Sequence, residues 1–136
     1  ATGKFQHLMP ATMHRHDAPA DLFHMARIGA TLAEDCGPCA LLAAQGALVD
    51  GVDRDLVNAA LAANPPEGDL RTAFGFGAAI GQQLVEAAQL GDLIEAQYGR
   101  TVRTELALTA AAVRTYPGLK RGLGYGQACA LTRLEV

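Results

Sequence analysis

The chain has 136 residues, enough for one domain with a sizeable core and too few for two comfortable ones. Half of the residues are hydrophobic but only 5% are aromatic, so small and aliphatic side chains must build the core. The net charge of −3 and the scattered basic residues argue against DNA or RNA as a partner, and the absence of Ser excludes serine hydrolase chemistry.

The sequence also bears on where the protein acts. The longest uncharged stretch around the cysteines, residues 36–49, is too short to span a bilayer. No charged region followed by an apolar one opens the chain, as it would in a signal peptide. We therefore expect a cytoplasmic protein with no membrane partner.

The first third of the chain predicts an arm followed by two helices. Residues 1–17 show no clear periodicity and contain Pro10, which predicts an extended or irregular N-terminal arm. Apolar residues then recur at helical spacing from Pro19 to about Asp35. The next segment is apolar on nearly every face, which predicts a buried helix that starts at the cysteines and ends before Gly51.

The remaining sequence predicts further helices. Asp53 is placed to cap a third helix, which Asn64-Pro65-Pro66 ends, and Asp69 is placed to cap a Gly-rich one. A short helix is expected between the glycines at 91 and 99. From residue 100 an amphipathic pattern runs until Pro117-Gly118 interrupts it, and a final segment weakened by glycine follows.

The glycines of the helix after Asp69 allow two interpretations. The spacing of Gly75, Gly77 and Gly81 resembles phosphate-binding loops, but it matches neither the dinucleotide fingerprint nor the P-loop, and no strand precedes it. Close helix packing is the better interpretation. With no alternating strand pattern, the predicted fold is all-α: one domain over residues 1–136, with six or seven helices in a core spanning 18–134.

The sequence Cys36-Gly37-Pro38-Cys39 is the main candidate site. At a helix N-terminus the unpaired N–H groups favour a thiolate, and Cys36 lies nearest to them. Such a pair can exchange disulfides or reduce a peroxide. The alternative is that both thiols merely pack. Cys129 is predicted to pack in the last helix. A structural zinc is not expected, because it would need two ligands besides the motif and Cys129 is the one other cysteine in the sequence.

These features suggest a family. A helix, the Cys-x-x-Cys motif opening an apolar helix, then "GVDRDLVNAALA" and "LIEAQYGRTVRTELALTAAAVRTYPGLKRGLG" resemble the alkylhydroperoxidase D-like, carboxymuconolactone decarboxylase-like family over roughly residues 20–124. The resemblance implies an all-helical homotrimer or homohexamer. In redox members it implies that Cys39 attacks a peroxide and Cys36 resolves the product, whereas the helix-terminus argument favours Cys36 as the more acidic thiol.

The proton relay of that family differs here. Its redox members carry a Glu about twelve residues before the first cysteine and a His four after the second, where this chain has His24 and Ala43. His24 can itself act as a base. If the first two helices form a hairpin, however, it faces about Gln45, roughly 9 Å along the axis from Cys39. A histidine facing solvent or another subunit is the alternative. Glu34 and Asp35 would oppose thiolate formation, unless they are simply solvated.

A second cluster of residues suggests metal binding. All the His and Met residues fall within the first 25 positions, and imidazole with thioether suits copper. The set comprises His7, Met9, Met13, His14, His16, His24 and Met25.

The leading hypothesis is a thiol-dependent peroxidase or thiol–disulfide oxidoreductase with catalytic Cys36, Cys39 and His24, no cofactor and no resident metal. Its expected substrate is a peroxide or another small molecule. The alternatives are a non-catalytic relative, a copper-binding protein, and decarboxylase or lactone chemistry on an organic acid if Arg27, Arg100 and Arg103 converge.

Overall fold

The computed structural model describes residues 2–124, which are helical and contain no strand. The helices are α1 (Thr2–Leu8), a 3-10 helix (Met9–Met13), α2 (Ala20–Ala33), α3 (Gly37–Val49), α4 (Arg54–Leu61), α5 (Asp69–Gly81), α6 (Glu86–Tyr98), α7 (Arg100–Ala112) and α8 (Thr115–Gly122). The all-α class is confirmed, and α2 to α8 give the helix number predicted for the core. Cys129 lies outside the described residues.

The irregular arm predicted for residues 1–17 is wrong over most of its length. Residues 2–8 form α1, and residues 9–13 continue as the 3-10 helix. Pro10 lies in the first turn of the 3-10 helix, where its missing N–H group costs no internal hydrogen bond. Pro10 therefore begins a helical turn, although in the sequence it favours an irregular arm.

Helix α2 occupies the centre of the fold, and residues 22–31 are buried all round it. It packs most extensively on α5, and glycines allow the two backbones to touch. A Cβ atom on Gly29 would overlap the carbonyl of Phe74, and one on Gly77 would overlap the carbonyl of Ala26. The contact supports close helix packing as the role of the Gly-rich segment.

A short turn connects α2 to α3 and sets the position of the cysteines. Glu34 ends α2, Asp35 takes a left-handed conformation with φ of 53°, and Cys36 is the extended N-cap residue of α3. Pro38 lies in the first turn of α3, where proline is tolerated. Helix α3 begins at the cysteines as predicted, but it is not buried on every face, because Leu42 is 64% exposed and Val49 is 90% exposed.

The later helices follow the prediction with shifted boundaries. Asp53 is the N-cap of α4, and its carboxylate accepts the N–H of Asp55 at 2.8 Å, as expected. Helix α6 is longer than predicted because Gly91 lies inside it, packed against the side chain of Arg103. The interruption near Pro117 falls a few residues earlier, between α7 and α8.

The α2–α5 contact predicts a strong effect of one added methyl group. We expect Gly77→Ala to destabilise the protein by about 3 kcal/mol, because the new Cβ forces α5 away from α2. Gly118→Ala is the matched control, since no atom lies within 4 Å of the added Cβ there. It should be neutral or slightly stabilising in a helix. Urea unfolding of both variants measures the difference, and equal stabilities would contradict the proposed backbone contact.

Candidate functional site

Cys36 and Cys39 form a disulfide at the N-terminal end of α3. Their Cα atoms are 5.3 Å apart, and each residue is 8% exposed. The Nζ atom of Lys120, from α8, lies 3.7 Å from the Sγ atom of Cys36. Once the disulfide is opened, both this ammonium and the helix N-terminus favour negative charge on Cys36.

A cavity of about 600 Å³ lies beside the disulfide. Its walls come from the N-terminal arm and from α2, α3, α7 and α8, and they are mostly apolar. The lining residues are Met9, Pro10, Thr12, Met13, Arg27, Thr31, Pro38, Cys39, Leu42, Ala43, Val113, Tyr116, Leu119 and Lys120. Cys39 is part of this wall and Cys36 is not. A molecule in the cavity would therefore contact Cys39.

The arm forms one wall of the cavity because a buried carboxylate holds it against α7. Glu105 accepts the backbone N–H groups of His16 at 2.8 Å, Asp17 at 2.9 Å and Ala18 at 3.1 Å. Burial alone would raise the pKa of Glu105, but these hydrogen bonds outweigh it and the pKa is lowered. The ionised form of Glu105 is therefore the one that binds the arm.

Two further contacts fix the part of the arm that faces the cavity. The hydroxyl of Thr109 donates to the carbonyl of Thr12 at 2.6 Å, and the hydroxyl of Tyr116 contacts the sulfur of Met9. The arm is thus tied to both α7 and α8, so the shape of the cavity depends on the arm remaining in place.

Arg27 is a buried cation in the wall of the cavity. It is 8% exposed, its Nη1 atom is 3.4 Å from the carbonyl oxygen of Ala43, and its buried Nε atom has no hydrogen-bond partner within the described residues. No ion pair within residues 2–124 includes it. Burial lowers the pKa of Arg27, the direction expected for a cation removed from water.

The three arginines considered as a joint anion site do not converge. Arg100 pairs with Glu95 at 3.2 Å, and Arg103 pairs with Asp92 at 2.7 Å, both on the surface between α6 and α7. Neither lines the cavity, whereas Arg27 does. Any anion-binding role at the cavity must therefore rest on Arg27.

His24 does not lie next to the cysteines. It is completely buried, and its Nε2 atom is 2.8 Å from a carboxylate oxygen of Asp50, the C-cap residue of α3. Cys39 lies eleven residues earlier, about 16 Å along the axis at 1.5 Å per residue. Burial outweighs the Asp50 contact and lowers the pKa of His24. This placement gives no support to His24 as the base.

The acidic residues before the cysteines have separate roles. Asp35 is exposed, as the solvated interpretation expected. Glu34 instead binds Arg114 at 2.5 Å and Arg121 at 2.8 Å, so two cations balance its charge. Burial alone would raise the pKa of Glu34, but the two arginines outweigh it and the pKa is lowered. The expected repulsion of a thiolate by Glu34 is therefore largely cancelled.

The His- and Met-rich arm does not bring its donors together. Within residues 2–124 no group of three or more His, Cys, Asp or Glu side chains is placed to hold a metal ion. The rings of His14 and His16 are 4.9 Å apart, but Met25 is completely buried in the core. The copper alternative gains no support from this arrangement.

Sequence reasoning missed Lys120 and Glu105. Lys120 is 84 residues from Cys36, and nothing local marks it. Glu105 offered a signal, because it follows Val102 by three residues and precedes Leu106, so a charge falls on the apolar face of the amphipathic pattern. A charged residue at such a position requires a partner.

Because Glu105 has a lowered pKa, we expect the arm to loosen in acid. Its stabilising contribution is fully present above the ordinary Glu pKa near 4.5 and is lost as the pH falls through the lower value in the folded state. Below the pKa of Glu105 in the folded protein, hydrogen exchange at the amides of residues 16–18 should become faster relative to exchange in the core of α2. In Glu105→Gln the fast exchange should already be present at neutral pH. Unchanged protection in the variant would contradict the anchoring role.

No protein-family model, curated protein or solved structure matches the chain. None of the helices in residues 2–124 is long and apolar enough to cross a membrane. The family resemblance and the homotrimer or homohexamer that it implies stay predictions.

Proposed function

We propose that this chain is a thiol–disulfide oxidoreductase that reduces small peroxides, with Cys39 as the sulfur that meets substrates and Cys36 as its partner. The observation that carries the proposal is the Cys36–Cys39 disulfide at the start of α3, with only Cys39 in the cavity wall. The resemblance to the alkylhydroperoxidase D-like family agrees with these roles. Under this proposal the protein acts as a homo-oligomer.

The first half of the cycle opens the disulfide. A thiolate of a dithiol reductant enters the cavity and attacks Cys39, forming a mixed disulfide, and Cys36 leaves as a thiolate. The second thiol of the reductant then attacks the reductant sulfur that is bonded to Cys39, and Cys39 leaves as a thiolate. Two electrons pass to the protein, and the reductant becomes a disulfide.

The second half of the cycle uses these two electrons. The Cys39 thiolate attacks the outer oxygen of a hydroperoxide, so the O–O bond breaks, the alcohol leaves with a proton, and Cys39 becomes a sulfenic acid. The thiolate of Cys36 attacks that sulfur and restores the disulfide, and the sulfenic oxygen leaves as water after taking up a proton. The two protons taken up by the alcohol and the water are the two that the dithiol lost when it was oxidised. One peroxide and one dithiol give one alcohol, one disulfide and one water.

The surroundings of the two sulfurs support this division. A thiol leaves faster when its thiolate is stabilised, and Lys120 with the N-terminus of α3 provides that stabilisation at Cys36. Access decides which sulfur is attacked, and Cys39 faces the cavity. Charge therefore favours Cys36 as the leaving group, and geometry favours Cys39 as the target.

Single cysteine variants test the assignment. After treatment with hydrogen peroxide, Cys36→Ala should accumulate a sulfenic acid on Cys39, which dimedone labels and mass spectrometry locates. Cys39→Ala should label at least tenfold less on Cys36, because that sulfur lies outside the cavity. Cys39→Ala should also lose dithiol-dependent peroxide consumption, because the sulfur that meets the peroxide is gone. Absence of labelling in Cys36→Ala together with absence of turnover in the wild-type chain would favour the non-catalytic relative, and stronger labelling of Cys36 in Cys39→Ala would reverse the roles.

Lys120 should affect the opening of the disulfide. We expect Lys120→Met to slow reduction of the disulfide by dithiothreitol about threefold, because the partly exposed ammonium no longer stabilises the Cys36 thiolate as it leaves. Lys4→Met removes the same charge from the exposed arm and is the control. The rate is followed by trapping free thiols over time. Equal slowing in both variants would show a general charge effect and contradict the local role.

A further inference from the structure

Arg27 requires an anion that the described part of the chain does not provide. A buried guanidinium normally pairs with a carboxylate, because an uncompensated charge away from water is costly. Arg27 is more than nine-tenths buried, its Nε atom has no partner, and its one hydrogen bond within the described residues is the long contact to the carbonyl of Ala43. Its position in the cavity wall places this unsatisfied cation beside a space large enough for a ligand.

The rest of the cavity is suited to an aliphatic chain. Met9, Pro10, Met13, Leu42, Val113 and Leu119 supply apolar surface to its walls. The lining hydroxyls of Thr12 and Thr31 already donate to backbone carbonyls at 2.8 Å each. Neither hydroxyl can therefore donate a hydrogen bond to the part of the ligand that lies away from Arg27. Burial of apolar surface would contribute most of the remaining binding energy.

We propose that this cavity binds an aliphatic monocarboxylic acid, with the carboxylate on Arg27 and the chain along the apolar walls toward Cys39. The planar guanidinium can hold a carboxylate through two parallel N–H donors. Binding of the acid follows from the cavity alone. That such an acid, carrying a hydroperoxide on its chain, is the substrate reduced at Cys39 rests on the proposed function.

A carboxylate suits the site better than a phosphate group. A phosphate monoester carries up to two negative charges and several acceptor oxygens, and it requires more than one cation or a ring of backbone donors. Only Arg27 among the cations lining the cavity is buried, and Lys120 is partly exposed beside Cys36. One charge and two acceptor oxygens match what Arg27 can satisfy.

The binding test compares three ligands on the wild-type chain by isothermal titration calorimetry. Decanoate supplies both the anion and the chain, decanol supplies the chain alone, and butyrate supplies the anion with little chain. We expect decanoate to bind at least tenfold more tightly than either, because each control lacks one of the two interactions. Equal affinity for decanoate and decanol would overturn the role of Arg27.

Arg27→Met tests the cation directly, because it keeps a long side chain and removes the charge. Decanoate affinity should fall about tenfold or more, while decanol affinity should not. The thermal midpoint of the free variant should be unchanged or higher, since a costly buried charge is gone. Arg100→Met removes an exposed arginine far from the cavity and should leave decanoate binding unaltered. Equal loss of affinity in both variants would contradict the proposal. The wild-type ligand comparison stands even if a variant fails to fold.

Site-specific alkylation separates this inference from the proposed function. In the reduced protein, saturating decanoate should slow alkylation of Cys39 by iodoacetamide, because the chain covers that sulfur, whereas alkylation of Cys36 should change less. If decanoate binds and protects Cys39 but peroxide turnover is absent, the site stands and the redox function fails. If hydrogen peroxide is turned over but decanoate neither binds nor protects, the redox function stands and the acid site is overturned.

Discussion

The close contact between α2 and α5 is the constraint on which the rest of the fold depends. Gly29 on α2 and Gly77 on α5 let the two backbones touch, because neither position has room for a Cβ atom. With α5 so close on one side, α3 and α7 can cover the remaining faces of α2. Helix α2 therefore becomes the axis of the bundle, and residues 22–31 are buried whatever their polarity. Small side chains on these helices thus allow close packing in a core in which Phe23 and Phe76 are also buried.

Because α2 is buried, each of its polar side chains needs a hydrogen-bond partner inside the protein. Thr31 donates to the carbonyl of Arg27 one turn earlier. His24 pairs its Nε2 atom with Asp50, while its Nδ1 atom has no partner within the described residues. Arg27 is left with one long contact to the carbonyl of Ala43. The polar residue whose needs the described fold meets least well is thus the one that reaches the cavity beside Cys39. This coincidence links the architecture of the bundle to the chemistry proposed for it.

The N-terminal arm encloses the cavity beside Cys39 by forming one of its walls. Without the 3-10 helix Met9–Met13, the space beside Cys39 would be an open groove on the bundle. The arm is held largely by hydrogen bonds to α7, through Glu105 and Thr109, and by the contact of Met9 with Tyr116. Access to Cys39 is therefore linked to the stability of the arm.

The sequence by itself determined what depends on near neighbours in the chain. Helical spacing and Asp53 as a cap predict most helices and place the cysteines at the start of α3, because these are local effects. Partners far apart in sequence were decided only by the tertiary structure. The packing of the bundle brings Lys120 to Cys36, folds the arm onto Glu105, and carries His24 away from Cys39 to the other end of α3. No local pattern encodes such distances, since they follow from how whole helices pack around α2.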